Sequence, residues 1–380
     1  MIEDIKNFKI NWVDGMKISK EHFQSLQNFA ENSIKDAFVV RKGRYGHGLL
    51  ASHLIGKNEY AINLDIHKSL KVSITKLRAI TPNGNRIEIT ENTPAVKEEI
   101  VVAELADKDL EEGYVLINLD TANPVPFGEQ EPNEIPPRLP YLTNGHFFTF
   151  ISAGDLIKTG LTANQLPIAK IQKESKGLSV APDYIPPCLT LGAHESLVHF
   201  YNEAETFLKM TERNAILIVQ KIMSKQSDNP IADAMQLVVD KAYVYLAQHI
   251  TKVKWEEHDM HPKELLEILV SFARIFKGSV DISSPENKEQ LFNYFGEWTD
   301  LKGGDYEKLF TDVINLQYNH NDIDQNLSVI KSFMQTIDRL FTVLTQIDYI
   351  GKRRDMGIFV NENIVEDKSG KSKGTSFLAE

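Results

Sequence analysis

Two histidines three residues apart, His258 and His261, stand with Glu256, Glu257 and Asp259 in the run from Trp255 to Pro262. On one helical turn, those imidazoles and carboxylates could hold a divalent ion. Pro262, however, disfavours helical backbone at His261, and no H-E-x-x-H pair is present. The run reads as a solvated connection with His261 beside the cap of the next helix, and no metal is expected. The only thiol, Cys188, lies in Ile185-Pro186-Pro187-Cys188-Leu189. No base or cation adjoins it to lower its pKa, so it reads as a small packed apolar group. A single cysteine allows no intrachain disulfide and fits a reducing compartment. The glycines of Gly43-Arg44-Tyr45-Gly46-His47-Gly48 have the wrong spacing for a dinucleotide turn, and no G-x-x-x-x-G-K-[ST] loop occurs. They read as a flexible connection. There is no G-x-S-x-G elbow, and nothing places two carboxylates in one pocket. No catalytic residue, no cofactor and no enzymatic role is expected.

The elements divide near residue 192. Before it the pattern is strand-like. Lys71 to Leu77 alternates polar and apolar residues, Thr81-Pro82-Asn83-Gly84-Asn85 is a turn, and Arg86 to Thr90 alternates again, so the stretch reads as a β-hairpin. Tyr114–Leu119 and Phe147–Ile151 are further strands. Six prolines (Pro124, Pro126, Pro132, Pro136, Pro137 and Pro140) crowd 122–142, which reads as a long extended loop rather than sheet, because proline cannot donate to a ladder. After residue 192 the apolar residues recur with helical spacing, at Leu197, Phe200, Tyr201, Ala204, Phe207 and Leu208. Helices are expected from His194 to Gln226, from Asn229-Pro230 to about Lys252, and from His261-Pro262 to Phe276, stopped by Gly278. A fourth opens at Ser284-Pro285, a fifth covers 305–318 and a sixth 323–350. The expected division is a β-rich unit at 1–191, a helical bundle at 192–350 and a short, largely disordered tail at 351–380.

The chain has 380 residues, 42% hydrophobic and 25% charged, with a formal net charge of −11. That balance argues against general nucleic-acid binding, which needs clustered cations. The first residues show no apolar leader core. No run of about 18 apolar residues occurs, so no membrane-inserted helix is expected. A cytoplasmic location follows as the expectation.

The segment Trp12-Val13-Asp14-Gly15-Met16-Lys17-Ile18-Ser19-Lys20-Glu21-His22-Phe23-Gln24 resembles the N-terminal signature of the TssK family of type VI secretion proteins. Trp12 and Phe23 read as apolar anchors and Gly15 as the turn between them. Four later segments resemble the family in the same order: Leu166-Pro167-Ile168-Ala169-Lys170-Ile171, Asp183-Tyr184-Ile185-Pro186-Pro187, His261-Pro262, and Tyr318-Asn319-His320-Asn321-Asp322.

The resemblance implies an α+β chain. Its N-terminal shoulder would be an antiparallel, β-sandwich-like unit of the phage receptor-binding-protein type, followed by a helical neck. It implies a homotrimer in the baseplate, docked on a TssF/TssG wedge and linked to the inner-membrane complex at its cytoplasmic face. The family-like segment would supply the protein interface, through Trp12, Gly15, Met16, Lys17, Lys20, His22, Phe23 and Gln24. The usual C-terminal head is expected to be lacking, since 30 residues follow position 350. Lys352, Arg353 and Arg354, with Phe377 and Leu378, are a candidate linear motif in its place. Two other readings remain: a phage-type receptor-binding or tail adaptor protein, and a metal-dependent hydrolase built around His258 and His261.

Overall fold

The computed structural model describes residues 7–51, 57–65, 69–94, 96–101, 110–175, 177–225, 229–299 and 301–351. The expectations for the tail, including the candidate motif of Lys352, Arg353, Arg354, Phe377 and Leu378, lie outside them. The described part is a mixed α/β fold with two antiparallel sheets followed by a set of packed helices.

The first sheet is organised by β3 (Ser69–Ile80), which pairs with four other strands. β1 (Gly48–Leu49) and β4 (Arg86–Ile89) flank one end of it, and β2 (Glu59–Leu64) and β5 (Val96–Val101) flank the other. Leu70, Val72 and Ile74 face the core, and then Leu77 and Ala79 do so. The alternation slips by one at a bulge, where Glu59 pairs with Lys76 and Tyr60 with Ile74. One extra residue turns every later side chain to the other face, which keeps both halves of β3 inward. The expected hairpin is present, with Leu77 opposite Ile89 and Ile80 opposite Arg86. Its turn uses Gly84 at φ 76°, which a residue with a Cβ rarely adopts.

The second sheet runs β7-β6-β8-β9, from β6 (Glu112–Phe127), β7 (Tyr141–Ser152), β8 (Gln165–Glu174) and β9 (Gly177–Val180). The core half of β6 is buried on both faces. Val115, Ile117 and Leu119 join the main core, while Tyr114 and Leu116 form a second cluster with Ala153, Leu156 and Tyr184 under the short helix α2 (Ala153–Thr159). The stretch 122–142 is not all loop. β6 continues through Pro124 and Pro126 to Phe127, where Val125, Pro126 and Phe127 pair with Thr143, Leu142 and Tyr141. Beyond Asn118 β6 has β7 on one side only, so its prolines sit on an edge with no second ladder to serve. The two strands leave the body as an exposed arm.

The structure also contains a helix absent from the expected elements, α1 (Lys20–Lys42), with no fully buried side chain. Six longer helices follow the sheets: α3 (Glu195–Lys225), α4 (Pro230–Glu256), α5 (Pro262–Asp281), α6 (Pro285–Trp298), α7 (Gly303–Ile314) and α8 (Asp324–Gln346). α4, α5 and α6 start as expected, with Asn229, His261 and Ser284 accepting first-turn amide hydrogens before a proline. Gly278 does not stop α5, which runs on to Asp281. A lone glycine costs a helix about 1 kcal/mol, and buried Phe276 and Val280 hold the turn on either side of it. α4 runs four residues past Lys252, and α8 ends at Gln346. Phe272, Phe276, Phe310 and Phe333 meet in the bundle core, with the Phe276 and Phe310 rings stacked at 5.2 Å. One apolar core is continuous from Leu49 through both inner sheet faces to Ile350. Among the described residues, no helix is long and apolar enough to cross a membrane.

Candidate functional site

Four of the five family-like segments converge where the second sheet meets the helices. Lys170, inside β8, lies beneath the loop that precedes α8. Its ammonium bonds Asp322 at 2.9 Å and Glu112 at 2.6 Å, and Asp322 also accepts from the Tyr114 hydroxyl at 3.2 Å. Asp322 is 2% exposed. Burial works to lower Lys170, but hydrogen bonds and charge from Glu112 and Asp322 outweigh it, and the ammonium stays above its ordinary range. The Tyr184 hydroxyl donates to the Asn321 carbonyl at 2.8 Å, and the Ile323 amide donates to the Ile185 carbonyl at 3.2 Å. The strand, the proline segment and the last long helix are thus tied by named polar bonds across a buried seam.

Three imidazoles close the other side of this joint. His320 receives the Tyr318 hydroxyl proton at Nδ1 (2.8 Å), and its Nε2–H donates to the His47 carbonyl at 2.7 Å. His261 accepts the Lys263 amide at Nδ1 (3.1 Å), and its Nε2–H donates to the Tyr45 carbonyl at 3.1 Å. Both rings are therefore fixed as neutral tautomers. The His261 and His320 rings stack at 5.4 Å, and His47 meets His320 edge-on at 4.6 Å. Burial pushes His47 down to about 4 and holds His261 and His320 below the ordinary imidazole range. Gly48 makes the closure possible: at φ 129°, a Cβ there would lie 2.4 Å from the Pro187 carbonyl. The glycine-rich run 43–48 is therefore a packed corner and not a flexible connection.

His258 does not join His261. Its ring packs edge-on against Tyr201 at 5.1 Å, while His261 faces Tyr45 and His320. Among the described residues, no three His, Cys, Asp or Glu side chains converge on a metal-sized point. Cys188 is fully buried, donates to the Pro186 carbonyl, and has its thiol pushed up by burial.

The fifth segment stands apart. Gly15 makes its turn at φ 75°, with the Met16 amide donating to the Val13 carbonyl. The Ser19 amide donates to His22 Nδ1 at 3.1 Å, and the His22 ring lies 6.0 Å from Trp12, which ties the extended segment to the first turn of α1. Met16 and His22 are half-buried, whereas Lys17, Lys20 and Gln24 are exposed. Trp12 and Phe23 are not anchors within this chain, being 47% and 59% exposed. Phe8, Val13, Ile18, Leu26, Ile34 and Val40 are exposed beside them. The helix-period spacing of Phe23, Leu26, Ala30, Ile34 and Ala37 was the signal that could have found α1.

Residues 159–276 match the family described as bacterial type VI secretion, VC_A0110, EvfL, ImpJ, VasE. A curated relative, the type VI secretion system baseplate component TssK1 of Pseudomonas aeruginosa, is 23% identical over 289 residues. The match takes in 71% of this chain and 61% of the relative's length. Among solved structures, a crystal structure of TssK gives a TM-score of 0.49 at 15% identity, covering 87% of this chain and 69% of that one. A chain of a type VI secretion baseplate complex gives 0.49 at 18% identity, covering 87% of this chain and all (100%) of that one. The span that matches the family, 159–276, includes three of the convergent segments, those at Lys170, Tyr184 and His261, and over that span the chain is similar to the bacterial type VI secretion family.

Proposed function

We propose that this chain is a structural adaptor of a type VI secretion baseplate, working as a homotrimer. It docks its N-terminal part on a TssF/TssG-type wedge and links the baseplate to the inner-membrane complex. In this reading 1–191 acts as a shoulder resembling phage receptor-binding proteins, and 192–350 acts as a helical neck.

The observation that carries the proposal is the split among the family-like segments. Those at 166–171, 183–187, 261–262 and 318–322 are used up in building a rigid internal joint. The one at 12–24 is left on the surface, with its aromatic residues uncovered. An exposed, apolar segment is a means of binding protein, and no group of residues described above forms a catalytic constellation. A curated relative described as a baseplate component supports the same reading.

The test is co-purification of the full chain with wedge subunits. Lys17→Glu with Lys20→Glu is expected to abolish retention of the wedge while leaving the oligomer and the melting temperature unchanged. Full retention by that variant removes residues 12–24 from the interface.

A further inference from the structure

The strand β7 leaves one edge of the second sheet open. Among the described residues it pairs only with β6. The Leu119 amide turns away from β7 to donate to the Asn164 carbonyl at 3.0 Å, so Leu119 and its β7 partner His146 form a non-hydrogen-bonded pair. His146 therefore points its own N–H and C=O out of the sheet edge. Alternation along β7 turns Asn144 and Leu142 the same way, and the residue opposite Leu142 is Pro126, which has no N–H to give it. Among the described residues, no other strand or loop takes up the backbone groups of these three. Other edges of the molecule are blunted. β5 presents Lys97, Glu98 and Glu99 in succession, β9 is four residues long, and the outer edge of β6 in the same ribbon carries Pro124 and Pro126. The stretch 141–147 has neither a proline nor an acidic or basic residue other than His146, whose imidazole burial holds below its ordinary range.

Backbone donors and acceptors exposed at every second residue, roughly 7 Å apart, are matched by another extended backbone and by nothing smaller. A cleft of about 340 Å³ lies along this edge, with Val125 and the β7 residues on one side and Pro94, Val96, Lys97 and Glu98 on the other. A wall on each side admits a lone strand and not the edge of a second sheet. The apolar lining of Pro94, Val96, Val125 and Phe147, with Lys97 beside Glu98, favours side chains that are uncharged and apolar at alternate positions. We propose that the edge at Leu142, Asn144 and His146 receives, by strand addition, an extended, uncharged segment of a different protein, laid in the cleft against β5. This goes beyond the adaptor reading: it is a second protein surface, separate in sequence from residues 12–24, and it does not need the wedge to be the partner.

The probe is an end-blocked, fluorescein-labelled peptide, Thr-Val-Thr-Val-Thr-Val-Thr, titrated against the full chain and read by fluorescence anisotropy. Saturable binding between micromolar and millimolar peptide is expected. The same peptide N-methylated throughout should bind about tenfold or more weakly, the size of losing one to two hydrogen bonds. Asn144→Pro removes one outward N–H and leaves the β6 ladder intact, and Leu142→Lys adds the charge that this edge lacks. Each should weaken the unmodified peptide by about tenfold and keep the circular dichroism spectrum. Hydrogen exchange at Asn144 and His146 should slow when the peptide is bound. Equal binding of the N-methylated and unmodified peptides, undiminished binding by both variants, or no saturable binding by the wild type at millimolar peptide overturns the proposal. So does a smaller mass in solution for Leu142→Lys than for the wild type, which puts a second copy of the chain on the edge.

Discussion

At the scale of the residue, the joint concentrates polar groups where water is absent, and the cost of disturbing each follows from what remains. Lys170→Met leaves the Asp322 carboxylate buried with only the Tyr114 hydroxyl, so a loss of about 3 to 5 kcal/mol is expected. Asp322→Asn removes a charge but leaves Lys170 paired with Glu112. It should cost less than half as much, and urea denaturation of the two variants measures the order. The imidazoles give a pH dependence. His47, His261 and His320 are depressed in the folded chain, so the unfolded chain takes up protons first as the pH falls below the ordinary imidazole value. Their contribution is present above that value and is lost on acidification. For His47 the window runs from 6.5 down to about 4, which corresponds to about 3 kcal/mol. The groups around them are Asn321 near His47, and Glu264, Lys42 and Lys263 near His261. Denaturant midpoints between pH 7 and pH 4.5 should fall more steeply for the wild type than for His47→Gln. Equal slopes would show that His47 takes no part.

At the scale of the element, the sequence was most legible where packing and local pattern agree. The hairpin at 69–89 and the proline-capped helices α4, α5 and α6 follow from residue order alone, since their alternation and caps are local properties. Legibility failed where the deciding fact was a neighbour. Prolines in β6 are tolerated because the strand is an edge beyond Asn118, and nothing in 122–142 itself says so. α1 went unread because it is judged against the strand-like residues around it, and its apolar stripe faces outward. The segment Trp12 to Gln24 was legible as family-like, but the exposure of its Trp12 and Phe23 was not. Of the joint, only the family-like segments were visible. That Lys170 meets Asp322, 152 residues away, is a product of topology. The arm formed by 121–142 carries exposed Val125, Ile135, Leu139, Tyr141 and Leu142, and a lone two-stranded ribbon is marginal in water. We propose that it packs on a neighbouring subunit or on the wedge. Replacing 124–141 by a two-residue Asn-Gly turn should leave the melting temperature of the isolated chain within about 2 °C, since a change well under 1 kcal/mol shifts a large chain little. The same variant should weaken assembly on wedge subunits. Unchanged affinity would mean that the arm stays in solvent.

At the scale of the whole molecule, the feature with the widest reach is that β6 is at once the most enclosed strand of the second sheet and the root of its most exposed arm. Whatever grips the arm holds a strand that runs straight into the interior. A load applied along that axis falls on the β6 ladders with β7 and β8 together, in shear, rather than opening them one bond at a time. Resistance to such a load is set by the rate of unfolding and not by equilibrium stability. Glu112, at the inner end of the same strand, is bonded to Lys170 and through it to Asp322 at the head of α8. A tug at the arm is therefore delivered to the helices without passing through a slack connection, and the chain behaves as a tie-rod between its two ends.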